Sequence, residues 1–335
     1  MAKDHKNYNS DGKSSEDRAL DRFTDMLIEK IQTLQGDWKK PWFSENSTQW
    51  PKNLSGREYN GMNSLLLMMH AEKEGYKLPV WATFDRIAGL NYTQGKEGRT
   101  PAVDKDGEKL PVVSINKGEK SFPVFITVFT VVDPETKEKI KYDDYKRMSE
   151  EERAKYKVYP KLQVYNVFNV AQTNLQEARP ELWKKLEDAN SPKKFEQAGE
   201  QFSFEPVDRM IKDNLWICPI KEVKGDNAYF SISRNEIVVP TRQQFINGES
   251  FYSNLFHEMG HSTGAENQLN RLKPGQTFGS AEYAREELVA ELGAALVAQR
   301  YGMTKNIKED SAAYLKSWLN SLHESPDFLK TTLFD

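Results

Sequence analysis

The stretch NLFHEMGHSTG, residues 254–264, holds two histidines four positions apart, His257 and His261, with Glu258 directly after the first. If the stretch is helical, this spacing places both imidazole rings on one face, one turn apart. Two rings in that arrangement can hold one metal ion while the glutamate lies beside it. The chain has only 5 histidines in 335 residues, so chance explains the pattern poorly. The stretch therefore predicts a helix that carries the zinc site of a peptidase.

The neighbours of the two histidines argue against the simplest alternative, a solvated amphipathic helix with incidental histidines. Leu255, Phe256 and Met259 are apolar, so the segment is expected to be buried. A buried imidazole without a partner costs desolvation free energy, and a bound metal relieves that cost. The composition of the helix therefore favours the metal site.

A third protein ligand is expected because a catalytic zinc ion takes three and leaves one position for water. The stretch YAREELVAELGAALVAQRYG, residues 283–302, shows a helical apolar repeat with glutamates near its start. Glu287 and Glu291 are four apart and share a face. We expect Glu287 to bind the metal and Glu291 to accept a hydrogen bond from the second ring nitrogen of a histidine ligand. Glu286 is the alternative ligand, and each acid could instead only favour the helix start through its charge.

This set of side chains predicts hydrolysis of a protein or peptide substrate. Bound Zn²⁺ polarises the scissile carbonyl and lowers the pKa of a water molecule. Glu258 is the expected general base, which takes the water's proton and later passes it to the leaving amine. A phenol from Tyr283 or Tyr301 is expected to stabilise the developing oxyanion, and the sequence does not choose between them.

Composition limits the classes to which the chain can belong. Its 335 residues and 38.6 kDa suit two domains. With 47 basic and 50 acidic residues the net charge is −3, so any nucleic-acid binding must be local. One cysteine, Cys218, excludes intramolecular disulfides. The N-terminal stretch has no apolar core of a signal peptide, and no apolar run spans a bilayer, so we expect a cytoplasmic protein without membrane contact.

A second chemical signal lies in residues 36–63, GDWKKPWFSENSTQWPKNLSGREYNGMN, where aromatic and basic side chains alternate among turn-forming residues. Aromatic rings can stack on the bases of a single strand while basic groups contact its phosphates. The alternative is that the tryptophans fill a small core and the lysines are solvated. The turn at residues 117–120, KGEK, is a further basic candidate. The candidate DNA-binding residues are Lys39, Lys40, Trp42, Lys52, Arg57, Tyr59, Lys117 and Lys120.

The order of patterns along the chain predicts a division into domains. Residues 20–35 form an amphipathic helix, while residues 121–133 and 162–173 have the composition of partner strands. A charged connector follows. Residues 229–239 are predicted to be an edge strand that pairs with an extended substrate. The predicted parts are a disordered tail over residues 1–19, a first domain with its connector over 20–195, and a second domain over 196–335.

The motifs DWKKPWF, PKNLSGREYNGMN, PVWATF, INKGEKSFPVF and VFNVAQTN follow one another in the first part of the chain. In this order they resemble the N-terminal domain of ArdC-type antirestriction proteins. The later motifs AYFSISRNEIVVP, FHEMGHSTG and YAREELVAELGAALV resemble the polyvalent-protein metallopeptidase domain. The resemblance runs from about Leu20 to residue 330. It implies an α+β fold with two domains, an N-terminal α+β DNA-binding domain and a C-terminal zincin-like metallopeptidase domain.

What the resemblance implies for function is a protein of a mobile element that binds single-stranded DNA and protects it from host restriction. Its Zn²⁺-dependent domain would act on proteins at DNA, in a way similar to proteases of the Spartan group. Two departures are an insertion at residues 93–112, longer than expected for the family, and the slightly acidic net charge. Two other functions stay open, a protein that coats single-stranded DNA and has a structural metal, and a protease directed to a host protein.

Overall fold

The computed structural model describes residues 12–36, 42–43, 49–95, 98–190, 203–273, 280–303 and 315–324. The described elements, in chain order, are α1 (Ser15–Gly36), β1 (Lys52–Asn53), α2 (Met62–Glu74), β2 (Val80–Ala82), α3 (Phe84–Gly89), β3 (Tyr92–Gly95), β4 (Gly98–Pro101), β5 (Phe122–Val132), β6 (Lys139–Ile140), α4 (Tyr142–Arg147), α5 (Glu150–Arg153), β7 (Lys157–Asn169), α6 (Leu175–Ala178), α7 (Pro180–Ala189), α8 (Glu205–Lys212), β8 (Ile220–Val223), β9 (Tyr229–Ser231), β10 (Glu236–Pro240), α9 (Gly248–Ser262), α10 (Ala281–Arg300) and α11 (Leu315–Glu324).

Two compact units divide the chain, and they do not follow its order. Unit 1 comprises Ala82–Phe168 and Gln172–Asn174 together with the residues up to Ala19. Unit 2 comprises Leu20–Trp81, Asn169–Ala171 and the chain from Leu175 onward. Residues 20–81, which the sequence assigns to the first domain, thus pack with the helices of the predicted second domain. The two units describe how the chain packs and do not test the boundary between the two domains, which stays a prediction near residue 195.

Helix α1 confirms the predicted amphipathic helix and extends it at its N-terminus. The Ser14 hydroxyl accepts a hydrogen bond from the backbone N–H of Asp17, whose carboxylate accepts one from the N–H of Ser14. This reciprocal pair satisfies N–H groups at the helix start. The disordered tail was predicted over residues 1–19, but residues 15–19 belong to α1. Residues 1–11 of the predicted tail lie outside the described residues.

Unit 1 is built on the long antiparallel pair of β5 and β7, which confirms that the two predicted strands are partners; β7 begins at Lys157 rather than at residue 162 and ends at Asn169, before residue 173. The register runs from Phe122 opposite Val167 to Val132 opposite Lys157. Strand β6 pairs with the far end of β5, where Lys139 lies opposite Val132. The insertion at residues 93–112 contains the hairpin of β3 and β4.

The sheet of unit 2 has the order β8, β10, β9, with β10 parallel to β8 and antiparallel to β9. The predicted single edge strand over residues 229–239 is therefore wrong. Asn235 has a φ of 47°, which lets the chain reverse between β9 and β10. All residues of β10 are buried at the centre of the sheet, so only β8 and β9 offer edges.

Helices α9 and α10 form the core of unit 2 and position the histidine motif. The side chain of Asn247 caps α9 by accepting a hydrogen bond from the N–H of Ser250 at 2.8 Å, and Ser280 caps α10 in the same way. The apolar face of α9 packs in a core with β10 and α10. Among the described helices, none has both the length and the apolar character needed to cross a membrane.

The two helices approach closely at Gly260, where a Cβ atom would lie 2.9 Å from the Cα of Ala290. We expect Gly260→Ala to lower the free energy of unfolding by about 1–3 kcal/mol, because the added methyl group must push the helices apart. Gly293→Ala is the matched control, since its Cβ would meet nothing within 4 Å. That variant is expected to gain up to about 1 kcal/mol from helix propensity. Urea unfolding measures both, and equal shifts would contradict the close approach.

Candidate metal centre

The side chains of His257, His261 and Glu287 converge in unit 2. The Nε2 atoms of the two histidines are 3.1 Å apart. One carboxylate oxygen of Glu287 lies 3.4 Å from His257 Nε2, and the other lies 3.5 Å from His261 Nε2. Within the described residues these three offer ligand atoms that all lie within 4.8 Å of one another. Helix α9 supplies the nitrogens and α10 supplies the carboxylate.

The size of this triangle fits a small tetrahedral ion. Zinc bonds to nitrogen and oxygen of about 2.0–2.1 Å place neighbouring ligand atoms about 3.3 Å apart in a tetrahedron. The distance between the two Nε2 atoms is 3.1 Å, and the distances from them to the two different oxygens of Glu287 are 3.4 and 3.5 Å, so all three lie around that value. Two imidazoles and a carboxylate form a donor set that several divalent ions accept. The residues present therefore fit a metal, and their chemistry leaves its identity open.

Each histidine is held by a second carboxylate on its other ring nitrogen. Glu291 lies 3.0 Å from His257 Nδ1, and Glu286 lies 3.3 Å from His261 Nδ1. Such contacts fix the tautomer in which Nε2 is free to bind a metal. Three glutamates of α10 therefore contact different ring nitrogens. Glu287 lies in the triangle near both Nε2 atoms, whereas Glu291 and Glu286 each lie near one Nδ1 atom; their roles at a metal stay predictions.

Arg271 completes the support of the second histidine, and sequence reasoning missed it. Its Nε donates to one oxygen of Glu286 at 2.9 Å, and its Nη2 donates to the other at 3.1 Å. Nη2 also donates to the backbone oxygen of Gly260 at 3.0 Å, which ties the loop after α9 back to that helix. The guanidinium balances the charge of a buried carboxylate. Arg271 lies in a loop, where no periodic spacing predicts which side chains meet.

The structure corrects the prediction for Trp42, whose ring was expected to stack on a DNA base. Its side chain is only 1 % exposed, so no base can reach the ring. Its indole Nε1 instead donates a hydrogen bond to Glu291 at 3.3 Å. Trp42 therefore orients the carboxylate that holds His257.

The electrostatics of the cluster favour positive charge. Burial lowers the pKa of His257, but hydrogen bonds to Glu287 and Glu291 outweigh it and raise this pKa to about 9. Burial raises the pKa of Glu287, but the hydrogen bond from His257 and the nearby charge of His261 lower it to about 2. The pKa of Glu286 is also lowered, since its contacts with His261 and Arg271 outweigh burial. Carboxylates that stabilise a proton here also suit a divalent cation.

The remaining predicted groups are the general base Glu258 and the two candidate phenols, Tyr283 and Tyr301. Glu258 is buried on the same helix, and its charge helps to raise the pKa of His257, so the two are close. Tyr283 donates a hydrogen bond that helps to lower the pKa of Glu287. Tyr301 packs its ring against Phe204 at 4.9 Å between ring centroids. Of the two candidate phenols, Tyr283 is therefore the one in contact with the triangle.

The other candidate DNA-binding residues are spread over both units. Lys39 and Lys40 lie outside the described residues. In unit 2, Arg57 is exposed while Lys52 and Tyr59 are half-buried, all within one short turn around β1. Lys117 and Lys120 are exposed and belong to unit 1. Their role in DNA binding stays a prediction.

Trp42→Phe is expected to weaken metal binding severalfold, because it keeps the ring and removes only the N–H that orients Glu291. Groups in this outer position commonly contribute tenfold or more to metal affinity. The matched control is Trp318→Phe, which removes a buried N–H that donates to the backbone oxygen of Ala284 on the same helix. Titration of Zn²⁺ against a chromophoric chelator measures both. An equal loss in the control would show a general effect of packing.

Comparison with protein families supports both halves of the chain. Residues 17–168 match the model of the N-terminal domain of the anti-restriction factor ArdC. Residues 210–332 match the model described as zincin-like metallopeptidase, a fold that implies a metal. The boundary predicted near residue 195 lies between the two matched segments.

Individual relatives agree with this assignment. The DNA primase TraC of Escherichia coli is 27 % identical over 312 residues, covering 90 % of this chain and 18 % of the primase. The chain thus spans about a fifth of that primase. The y4eC protein of Sinorhizobium fredii (strain NBRC 101917 / NGR234) is 26 % identical over 309 residues, covering 90 % of this chain and 83 % of that protein.

Solved structures show the same fold. The metal-free crystal structure of the antirestriction ArdC protein from the R388 plasmid has a TM-score of 0.62 at 24 % identity, covering 94 % of this chain and 92 % of that one. The Mn(II)-bound structure of the same protein also has a TM-score of 0.62, at 21 % identity. The α+β fold with two domains is confirmed. The chain therefore joins an N-terminal domain of the ArdC family to a zincin-like metallopeptidase domain, in that order.

Proposed function

We propose that this chain is a zinc-dependent peptidase that its ArdC N-terminal domain brings to single-stranded DNA. The observation that carries the enzymatic part is the triangle of His257, His261 and Glu287, with Glu258 buried on the same helix. Three protein ligands of this kind are typical of catalytic zinc sites, whereas structural sites usually have four. The carboxylates that orient both histidines have the same role in many zinc enzymes.

The residues of the chain divide the work of hydrolysis among them. When bound, the metal would lower the pKa of a water molecule and polarise the scissile carbonyl. Glu258 accepts the proton of the attacking water and delivers it to the leaving amine, so the general base is restored after each turnover. The phenol of Tyr283, which donates its one O–H to Glu287 in this structure, would turn from Glu287 to donate to the oxyanion that develops on the carbonyl oxygen. Glu286 and Glu291 keep the two rings in the binding tautomer.

The DNA-binding part of the proposal is supported by the match to the ArdC N-terminal domain. A DNA primase among the relatives fits the same class of ligand. The peptidase would then act on proteins bound to DNA, because its own N-terminal domain holds it there. Binding should weaken steeply as salt rises, since each phosphate contact releases a counterion.

A second candidate function is a DNA-binding protein whose metal is structural, and the burial of the cluster favours it. The side chain of His261 is 14 % exposed, and those of His257 and Glu287 are less exposed still. A peptide has to reach the metal to be hydrolysed, so the peptidase requires the site to open when substrate binds. A structural metal requires no such opening.

Hydrolysis of labelled casein separates the two candidates. We expect the Zn²⁺-loaded chain to release fluorescent peptides, to stop when a chelator removes the metal, and to recover when Zn²⁺ is returned. Addition of Mn²⁺ in place of Zn²⁺ tests the identity of the metal. A fully loaded protein that binds single-stranded DNA and releases no peptide, with or without DNA, would instead support the structural metal.

A further inference from the structure

Strand β7 presents alternating lysine and aromatic side chains on one face. Successive side chains of a strand point to opposite faces, so Lys157, Tyr159, Lys161 and Gln163 share one of them. All four are exposed, and the ring of Tyr159 is 53 % exposed. The lysines lie on either side of the tyrosine, about 13 Å apart at the rise of an extended strand. This face thus combines an aromatic ring with two positive charges.

The neighbouring strands extend the same face. Residues directly opposite each other in an antiparallel pair lie on one face, which adds Ile126 opposite Gln163 and Val128 opposite Lys161. Ile126 is 47 % exposed. Lys139 of β6 lies opposite Val132, which lies opposite Lys157, so a third lysine joins the row. We call these seven residues the strand platform: Ile126, Val128, Lys139, Lys157, Tyr159, Lys161 and Gln163.

The opposite face of the same strands has a different environment. Phe129 points there and stacks on Tyr142 of α4 at 4.3 Å between ring centroids. Phe125 and Val131 of that face are buried. Phe122 and Val124, on the face of the strand platform, are buried as well, so both faces are covered at that end of β5 and the platform is exposed only from Ile126 onward.

The charge of the strand platform indicates which class of ligand it can bind. β5, β6 and β7 contain no aspartate or glutamate, although the chain as a whole has a net charge of −3. A local row of three lysines complements a polyanion. A flat surface with an exposed tyrosine and apolar side chains suits unpaired bases, which stack on such rings, whereas the bases of a duplex are already stacked on each other.

We propose that the strand platform binds single-stranded DNA, with phosphates on its lysines and a base on Tyr159. The inference rests on the DNA-binding part of the proposed function and assigns it a surface. None of the platform residues is among the candidates that the sequence pattern suggested, because those were chosen by local clustering of aromatic and basic letters. The pattern of β7 becomes visible only when every second residue is considered together.

Fluorescence anisotropy of a labelled oligothymidylate, titrated with the full chain, tests the surface. Tyr159→Thr keeps a strand-forming residue and is expected to weaken binding at least about fivefold, the lower limit for loss of one stacked base. Tyr159→Phe keeps the ring and should bind as the unaltered chain does. Tyr92→Thr is the matched control, because Tyr92 is 51 % exposed on another strand of unit 1 and should not alter the affinity.

The lysines are tested through the salt dependence. Lys157→Gln combined with Lys161→Gln should reduce the slope of log affinity against log salt by about 1.4, which corresponds to two phosphate contacts on a single strand. Lys105→Gln combined with Lys109→Gln makes the same change of charge at exposed positions of unit 1 and should leave the slope unchanged.

The outcomes separate the inference from the function on which it rests. If the unaltered chain binds the oligonucleotide and the platform variants bind equally well, the assigned surface is wrong and DNA binding stands. Equal affinity of the unaltered chain for a duplex of the same length would also overturn the stacking surface. If the unaltered chain does not bind at all, the DNA-binding part of the proposed function fails, and the inference fails with it.

Discussion

Glu258→Gln is expected to lower the rate of peptide hydrolysis at least about a hundredfold while the chain keeps its metal. The amide cannot accept the proton of the attacking water, so the general base is lost. The ligand atoms of His257, His261 and Glu287 are unchanged, and Glu258 is not part of their triangle. Loss of activity with an intact metal site separates a catalytic role of Glu258 from a role in binding the ion.

Two measurements on the same samples check this result. Metal content by mass spectrometry should match that of the unaltered chain, and release of peptides from labelled casein should fall. Glu282→Gln is the matched control, because it makes the same chemical change at an exposed position in the first turn of α10. Full hydrolysis by Glu258→Gln would show that another group accepts the proton.

His261→Ala is expected to abolish both metal binding and hydrolysis. It removes one of the two nitrogens of the triangle and leaves the pair of Glu286 and Arg271 without the ring that Glu286 orients. A remaining site of one histidine and one carboxylate has too few ligands to compete with water and buffer for the ion. The effect should therefore be larger than that of Trp42→Phe, which changes only the orientation of a supporting carboxylate.

Thermal unfolding with and without Zn²⁺ measures this loss independently of activity. A ligand that binds only the folded state raises the melting temperature, so the unaltered chain should gain stability on addition of Zn²⁺ and His261→Ala should not. The metal-free forms of both proteins serve as the reference for any general loss of stability. Retention of the Zn²⁺-dependent shift by the variant would mean that the metal binds elsewhere.

The helical features of the metal centre could be predicted from sequence because they depend on one periodicity. A helix turns once in 3.6 residues, so residues four apart share a face wherever the helix lies in the fold. That rule placed the two histidines together and put Glu287 and Glu291 on one side of α10. The pairing of β5 with β7 was equally accessible, because β-branched and aromatic residues fill both strands.

Contacts between distant segments could not be predicted in this way. Trp42 and Glu291 are separated by 249 residues, and no local pattern relates them. A tryptophan among lysines looks the same in sequence whether its ring is buried or exposed. The edge strand predicted over residues 229–239 failed for a related reason, because the composition of a hairpin and of one longer strand is alike until the turn at Asn235 is seen.

The sequence by itself supplied the side chains of the candidate site, which are the HEMGH motif in one helix and Glu286, Glu287 and Glu291 in another, and it supplied the motifs that resemble the ArdC-type family. Tertiary structure alone decided which glutamate faces both Nε2 atoms, that Arg271 and Trp42 support the carboxylates, and which face of β7 is open. The physical reason is the range of the interactions. Backbone geometry fixes the relative positions of residues a few places apart, whereas the burial and pairing of distant side chains depend on how whole elements pack.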